Sequence, residues 1–130
     1  MIELFKLLRQ ISPCTLAGLF TAAYVGGFLL GSLLLRAILK SIKPNKTIKW
    51  WIELRDHGTW IGLCEHFLVV SFVLADEYTA IALVFAAKEL VRSEEVKKDP
   101  GYYLVGTLLN ISISLLVGIA LKITLLSLAT

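Results

Sequence analysis

Long apolar blocks alternate with short charged ones along the chain, and the polar positions recur at helical spacing. Residues 2–11 set Ile2, Leu4, Phe5, Leu7, Leu8 and Ile11 against Glu3, Lys6, Arg9 and Gln10, which predicts a short amphipathic N-terminal helix lying in a membrane interface. Ser12 and Pro13 then read as the N-cap and first residue of a separate helix. An uncharged run follows from Cys14 to Leu35, on the order of 33 Å as a helix and long enough to cross a hydrocarbon core.

Three further apolar blocks complete the pattern. One runs from about 58 to 75, a second from about 79 to 91 and a third from about 102 to 121. Asp76, Glu77 and Tyr78 form the turn between the first two, and Asp99-Pro100-Gly101 marks the turn before the last. Between Arg36 and Arg55, Pro44-Asn45 breaks the helix and Thr47 caps a short interfacial helix carrying Ile48, Trp51 and Leu54. The expectation is an all-α polytopic membrane protein: a single integral membrane domain over 1–130, with four transmembrane helices, the N-terminal helix and the interfacial one.

Composition agrees with this reading. The chain is 57% hydrophobic, well above the roughly 45–50% of an ordinary soluble domain. Its net charge of +3 would suit a nucleic-acid partner only if the basic residues formed a stripe on a soluble surface. Instead Arg36, Lys40, Lys43, Lys46, Lys49 and Arg55 cluster in one connecting segment, and Arg92, Lys97 and Lys98 in another. The positive-inside rule then puts both segments in the cytoplasm, with both termini outside the cell (inner) membrane. Lys122 is a single charge against that orientation. No early apolar segment with a small-residue cleavage site suggests a signal peptide, and Trp50, Trp51 and Trp60 are expected at headgroup level.

Within the apolar blocks a few polar residues stand out. Glu65 and Lys88 lie equally far from the turn midway between Asp76 and Glu77, so in an antiparallel hairpin they share a depth, and a salt bridge between them is expected. His66 points about 100° away from Glu65 and is expected to face a stripe made by Tyr103, Thr107, Asn110 and Ser114. Asn110 is the candidate hydrogen-bond partner of Glu65 or His66. These residues are either fold-specifying or the lining of an ion path, with Asp76 and Glu77 as an acidic outer mouth. Gly18, Ala22 and Gly26, the pair Gly27 and Gly31, and Gly62 and Gly106 open surfaces for close helix packing, within the chain or between subunits.

Cys14 and Cys64 lack the paired spacing of a disulfide or zinc site, and Cys64, Glu65 and His66 diverge on a helix, so neither metal nor cofactor is expected. No nucleophile with an ordered base and no phosphate-binding loop is present in the pattern. Two functional expectations follow. The first is a small homo-oligomeric membrane protein, a cation or proton channel or transporter with its path at helix or subunit interfaces. The alternative is a membrane scaffold or anchor whose basic loop 36–55 binds anionic lipid or a cytoplasmic partner through Lys40, Lys43, Lys46 and Lys49.

W-I-G-L-C-E-H at 60–66, A-A-K-E-L-V-R at 86–92 and Y-Y-L-V-G-T-L at 102–108 resemble a family of uncharacterised small prokaryotic multi-pass membrane proteins with W-x-G-x-x-E, A-A-K-x-x-x-R and Y-x-x-x-G-T-L motifs. The similarity spans roughly residues 58–120, with Glu65, Lys88, Arg92, Gly106 and Thr107 as matched positions. His66, Ala82 and Asn110 depart from the arginine, glycine and serine of that pattern. The resemblance implies a helical membrane module and no particular activity.

Overall fold

The computed structural model describes residues 2–42, 57–91, 93, 97 and 100–130, and among these the protein is all-helical. Helix α1 covers Ile2–Leu8 and α2 covers Pro13–Thr21. A π-helical segment, Ala22–Gly26, joins α2 to α3, Gly27–Ile42. Then follow α4, His57–Leu74, α5, Tyr78–Val91, and α6, Pro100–Ala129. The interfacial helix expected around Ile48, Trp51 and Leu54 lies outside the described residues, as do Trp50, Lys43, Lys46 and Lys49.

Pro13 opens α2 after an extended Ser12, whose carbonyl accepts from the Leu16 amide at 3.0 Å although its side chain makes no cap bond. The α4–α5 turn is set by local backbone bonds. Glu77 N–H reaches back to Phe72 O at 2.9 Å and Asp76 N–H to Val73 O at 3.2 Å, with Asp76 at a φ of 62°. This is a Schellman stop, in which an aspartate takes the left-handed position more often given to glycine.

Two helices are long and apolar enough to cross a membrane, Pro13–Ser41 and Pro100–Ala129, of 29 and 30 residues. The remaining pair is shorter: the apolar part of α4 is Thr59–Leu74, and α5 has 14 residues. The last helix also runs past the boundary expected near residue 121, through Lys122 to Ala129.

Helix α6 is the central post, packed chiefly on α4 and then on α3. Val70, Leu74, Leu121 and Leu125 form one buried cluster, against which Leu4, Leu8 and Ile11 fold the N-terminal segment. Val69, Val73 and Ile81 form a second cluster between α4 and α5. Large apolar side chains face outward on every long helix, among them Leu29, Leu83 and Leu116, at 55%, 73% and 68% exposure. An exterior this apolar suits lipid as its solvent.

Close packing falls on only some of the expected small residues. A Cβ at Gly27 would sit 2.8 Å from Val117 Cγ1, one at Gly31 3.0 Å from Ile113 Cγ2, and one at Gly118 3.0 Å from Val73 Cβ. Gly106 has looser room, with Leu39 at 3.9 Å. Gly18, Gly26 and Gly62 have nothing within 4 Å, so the packing expected of them within the chain is absent. Ala22 is likewise exposed. Gly27 and Gly31 continue the inward face of Phe20, Ala23 and Tyr24 and meet α6, while the Gly18, Ala22 and Gly26 stripe faces out.

Candidate functional site: a polar layer across the helix core

Glu65 on α4 and Lys88 on α5 meet where their equal distance from the turn puts them: Lys88 Nζ lies 2.5 Å from Glu65 Oε2. Glu65 is 4% exposed and the Lys88 side chain 13%, so the pair stands almost free of solvent. Asn110 on α6 donates its side-chain N–H to the same Oε2 at 2.8 Å. The second oxygen, Oε1, is buried without a hydrogen-bond partner. A buried carboxylate oxygen in that condition is energetically exposed to any donor that reaches it.

His66 turns the other way, towards α6 and the first span. Its Nδ1 lies 2.8 Å from Ser114 Oγ, and its Nε2 lies 3.4 Å from the carbonyl oxygen of Ala23 in the π-helical segment. The ring fits because position 27 has no side chain: a Cβ there would come within 3.1 Å of Nε2. Phe28 packs beside it, ring centroids 6.3 Å apart.

Ser114 donates its hydroxyl proton to the Asn110 carbonyl at 2.8 Å. With that proton committed, Ser114 Oγ accepts from His66 Nδ1–H and Nε2 faces a second acceptor, an arrangement whose two contacts are both satisfied only when both ring nitrogens carry protons. If the hydroxyl instead turns to donate to Nδ1, a neutral ring with its proton on Nε2 satisfies Ala23. One proton and one hydroxyl rotation separate two fully bonded arrangements. The layer therefore runs without a break from Lys88 through Glu65, Asn110, Ser114 and His66 to Ala23.

Other candidates fall elsewhere. Thr107 is buried and Tyr103 half-buried on α6, but the bonds described for Glu65 and His66 end on Asn110 and Ser114. On the expected stripe His66 meets Ser114, and Asn110 goes to Glu65, one of the two partners expected for it. Glu77 is exposed at the turn, whereas Asp76 forms an ion pair with Lys122. Asp76 is therefore not a free acid at an outer mouth, and Lys122 has a specific partner at that end of the bundle. The Lys122 ammonium holds the Asp76 carboxyl below its ordinary value. Lys40 is exposed. Trp60 is 61% exposed.

Sequence reasoning missed the Asp76–Lys122 pair, the Ala23 carbonyl and a bond of 2.9 Å between Tyr24 Oη and Ser71 Oγ. Lys122 was recognisable as a basic residue of the last apolar block on the side of the acidic turn; the Ala23 carbonyl had no signal. Between the polar layer and the Asp76–Lys122 pair, Val69, Val70, Val73 and Leu121 are at most 5% exposed. This plug separates the layer from the turn end. Among the described residues no three His, Cys, Asp or Glu side chains gather as a metal site, and Cys14 and Cys64 are free thiols at the surface. Comparison of the chain with protein-family models, with curated proteins and with solved structures gives no match, so the geometry of these residues carries the functional reading.

Proposed function

We propose that the chain is a multi-pass protein of the cell membrane that crosses four times and moves protons or small cations as a homo-oligomer. The observation that carries this reading is Glu65: a buried carboxylate with one oxygen saturated by Lys88 and Asn110 and the other unpartnered, in one bonded layer with His66. Ionisable side chains at membrane depth mark ion or proton sites by default. His66 and Ser114 add a place where one proton is taken up or given away while His66 keeps both of its contacts.

Four crossings require the α4–α5 hairpin to insert together with the two long helices. Helix α5 is roughly 21 Å long, short of the hydrocarbon thickness, and local thinning of the bilayer accommodates the difference. The basic segments lie in the cytoplasm and both termini outside. The valine and leucine plug blocks a route down the axis of one subunit, which favours a path along a helix or subunit interface. Purified protein in liposomes, compared with Glu65→Gln, is the test. Flux of protons or alkali cations in the wild type and its loss in the variant is expected; background flux of both for protons, alkali cations and small anions overturns the reading.

A further inference from the structure

Glu65 already holds a cation. Lys88 Nζ lies 2.5 Å from Oε2 and the Asn110 amide nitrogen 2.8 Å from the same oxygen, so an ammonium and the positive end of an amide dipole converge where an incoming cation would have to bind. We infer that Lys88 is the specificity-determining residue of the polar layer: a resident ammonium that closes Glu65 to metal cations, so that the species the layer accepts is the proton. The inference rests on the proposed function for the purpose of the site, but which species Glu65 accepts is an equilibrium property that is measured without flux.

Two further observations separate the proton from the alkali cations. Less than 1 Å² of Oε1 is accessible, which leaves no room for an ion with its ligands, whereas a proton occupies only a lone pair. The groove between α4 and α5 beside the pair is walled by Trp60, Ile61, Leu68, Val84 and Val91, whose side chains carry no oxygen to replace the water a bound cation gives up. A proton needs no such ligands, since it passes between hydrogen-bonded atoms. Lys88 hands an Nζ proton to Oε2, one N–H bond breaking as one O–H bond forms, and the amine takes a proton back from water through its 13% exposed side chain. The pair thereby gains one proton, and Lys88, in the last turn of α5, carries the released charge towards the surface. The charged group described against Glu65 is Lys88 on α5; α6 brings the neutral amide of Asn110, and His66, the layer's other titratable group, faces Ser114 on α6 and Ala23 of the first span.

The test follows the infrared band of the protonated Glu65 carboxyl, assigned by its loss in Glu65→Gln, through a pH titration of the full chain in nanodiscs. A cation that competes with the proton lowers the half-protonation pH by about one unit for each tenfold rise in its concentration. With Na+ or K+ exchanged for N-methylglucamine at constant ionic strength, the wild type should show no such shift. Lys88→Ala removes the equivalent of propylammonium, so added propylammonium should shift the titration of this variant with about that slope; a lysine with a merely structural role would leave the variant indifferent to it. An alkali-dependent titration of the wild type overturns the proposal, as does a wild type that unfolds in acid before the band appears, or a folded Lys88→Ala that ignores propylammonium. If Lys88→Ala does not fold, the wild-type titration alone decides. A cation-independent band together with background flux in liposomes supports the proton site while sinking transport, whereas Glu65-dependent flux of alkali cations keeps transport and overturns the proton assignment.

Discussion

Glu65 stands eleven residues before Asp76, Lys88 stands eleven after Glu77, and their side chains meet at 2.5 Å inside the bundle. The pair is fixed by the turn rather than by any property of its neighbours. Reversing either charge alone, Glu65→Lys or Lys88→Glu, leaves two like charges buried together and should cost about 3–5 kcal/mol, the range for a broken buried pair. The double reversal should recover most of it. Resistance to unfolding in detergent, measured for the singles and the double, checks this; a double as damaged as the singles removes the pairing.

Gly27 and Gly18 share a residue type but not a setting. Gly27→Ala should destabilise by about 1–3 kcal/mol, because its methyl group meets Val117 and the His66 ring. Gly18→Ala, with open space around it, should be neutral or stabilise by up to about 1 kcal/mol through helix propensity. Thermal melts of the two variants should move in opposite directions or differ sharply in size.

The carbonyl of Ala23 restricts the protonation states of His66. Two should occur, the imidazolium and the neutral ring with its proton on Nε2, since each satisfies Ser114 and Ala23. Ring ¹⁵N shifts across a pH titration distinguish them. A neutral form protonated mainly on Nδ1 would contradict the bonding described. Ser114→Ala leaves the Ala23 carbonyl facing Nε2, so the neutral ring should still carry its proton there.

At the other end, the Asp76 carboxyl is held below its ordinary value of 3.8 by the Lys122 ammonium. A depressed carboxyl contributes its stabilisation above the unfolded value and loses it as pH falls through the folded one. The clasp should therefore be intact at neutral pH and open only in acid below 3.8. Lys122→Met should bring the Asp76 carbon-13 carboxyl midpoint back up towards that value. An unchanged midpoint would show that Lys122 is not its cause.

What was legible in the chain was whatever depends on distance along a regular helix. The Glu65–Lys88 contact needed only a turn and a constant rise, and Asn110 was visible as an amide in an apolar helix. The inward face of the first span was not legible, because Gly18, Ala22 and Gly26 have the same spacing as Gly27 and Gly31, and only packing against α6 separates the two sets; Ala22 and Gly26 themselves belong to the π-helical segment. The same segment presents the Ala23 carbonyl to His66, a backbone group that no side-chain pattern reveals. Apolar block lengths suggested four crossings of unequal length; the described helices divide into two long and two short ones.

The Schellman stop at Asp76 bears on how the protein is made. Its bonds, from Glu77 to Phe72 and from Asp76 to Val73, lie wholly within the α4–α5 hairpin, and so does the Glu65–Lys88 pair. When the ribosome has delivered residues up to α5 but not yet α6, the hairpin already has its bend and its internal charge balance. In the proposed four-crossing arrangement it can enter the bilayer as a unit, carrying no uncompensated charge from Glu65 or Lys88. Asn110, Ser114 and Lys122 all arrive later on α6, so the final helix acts as the key that locks a hairpin already in place.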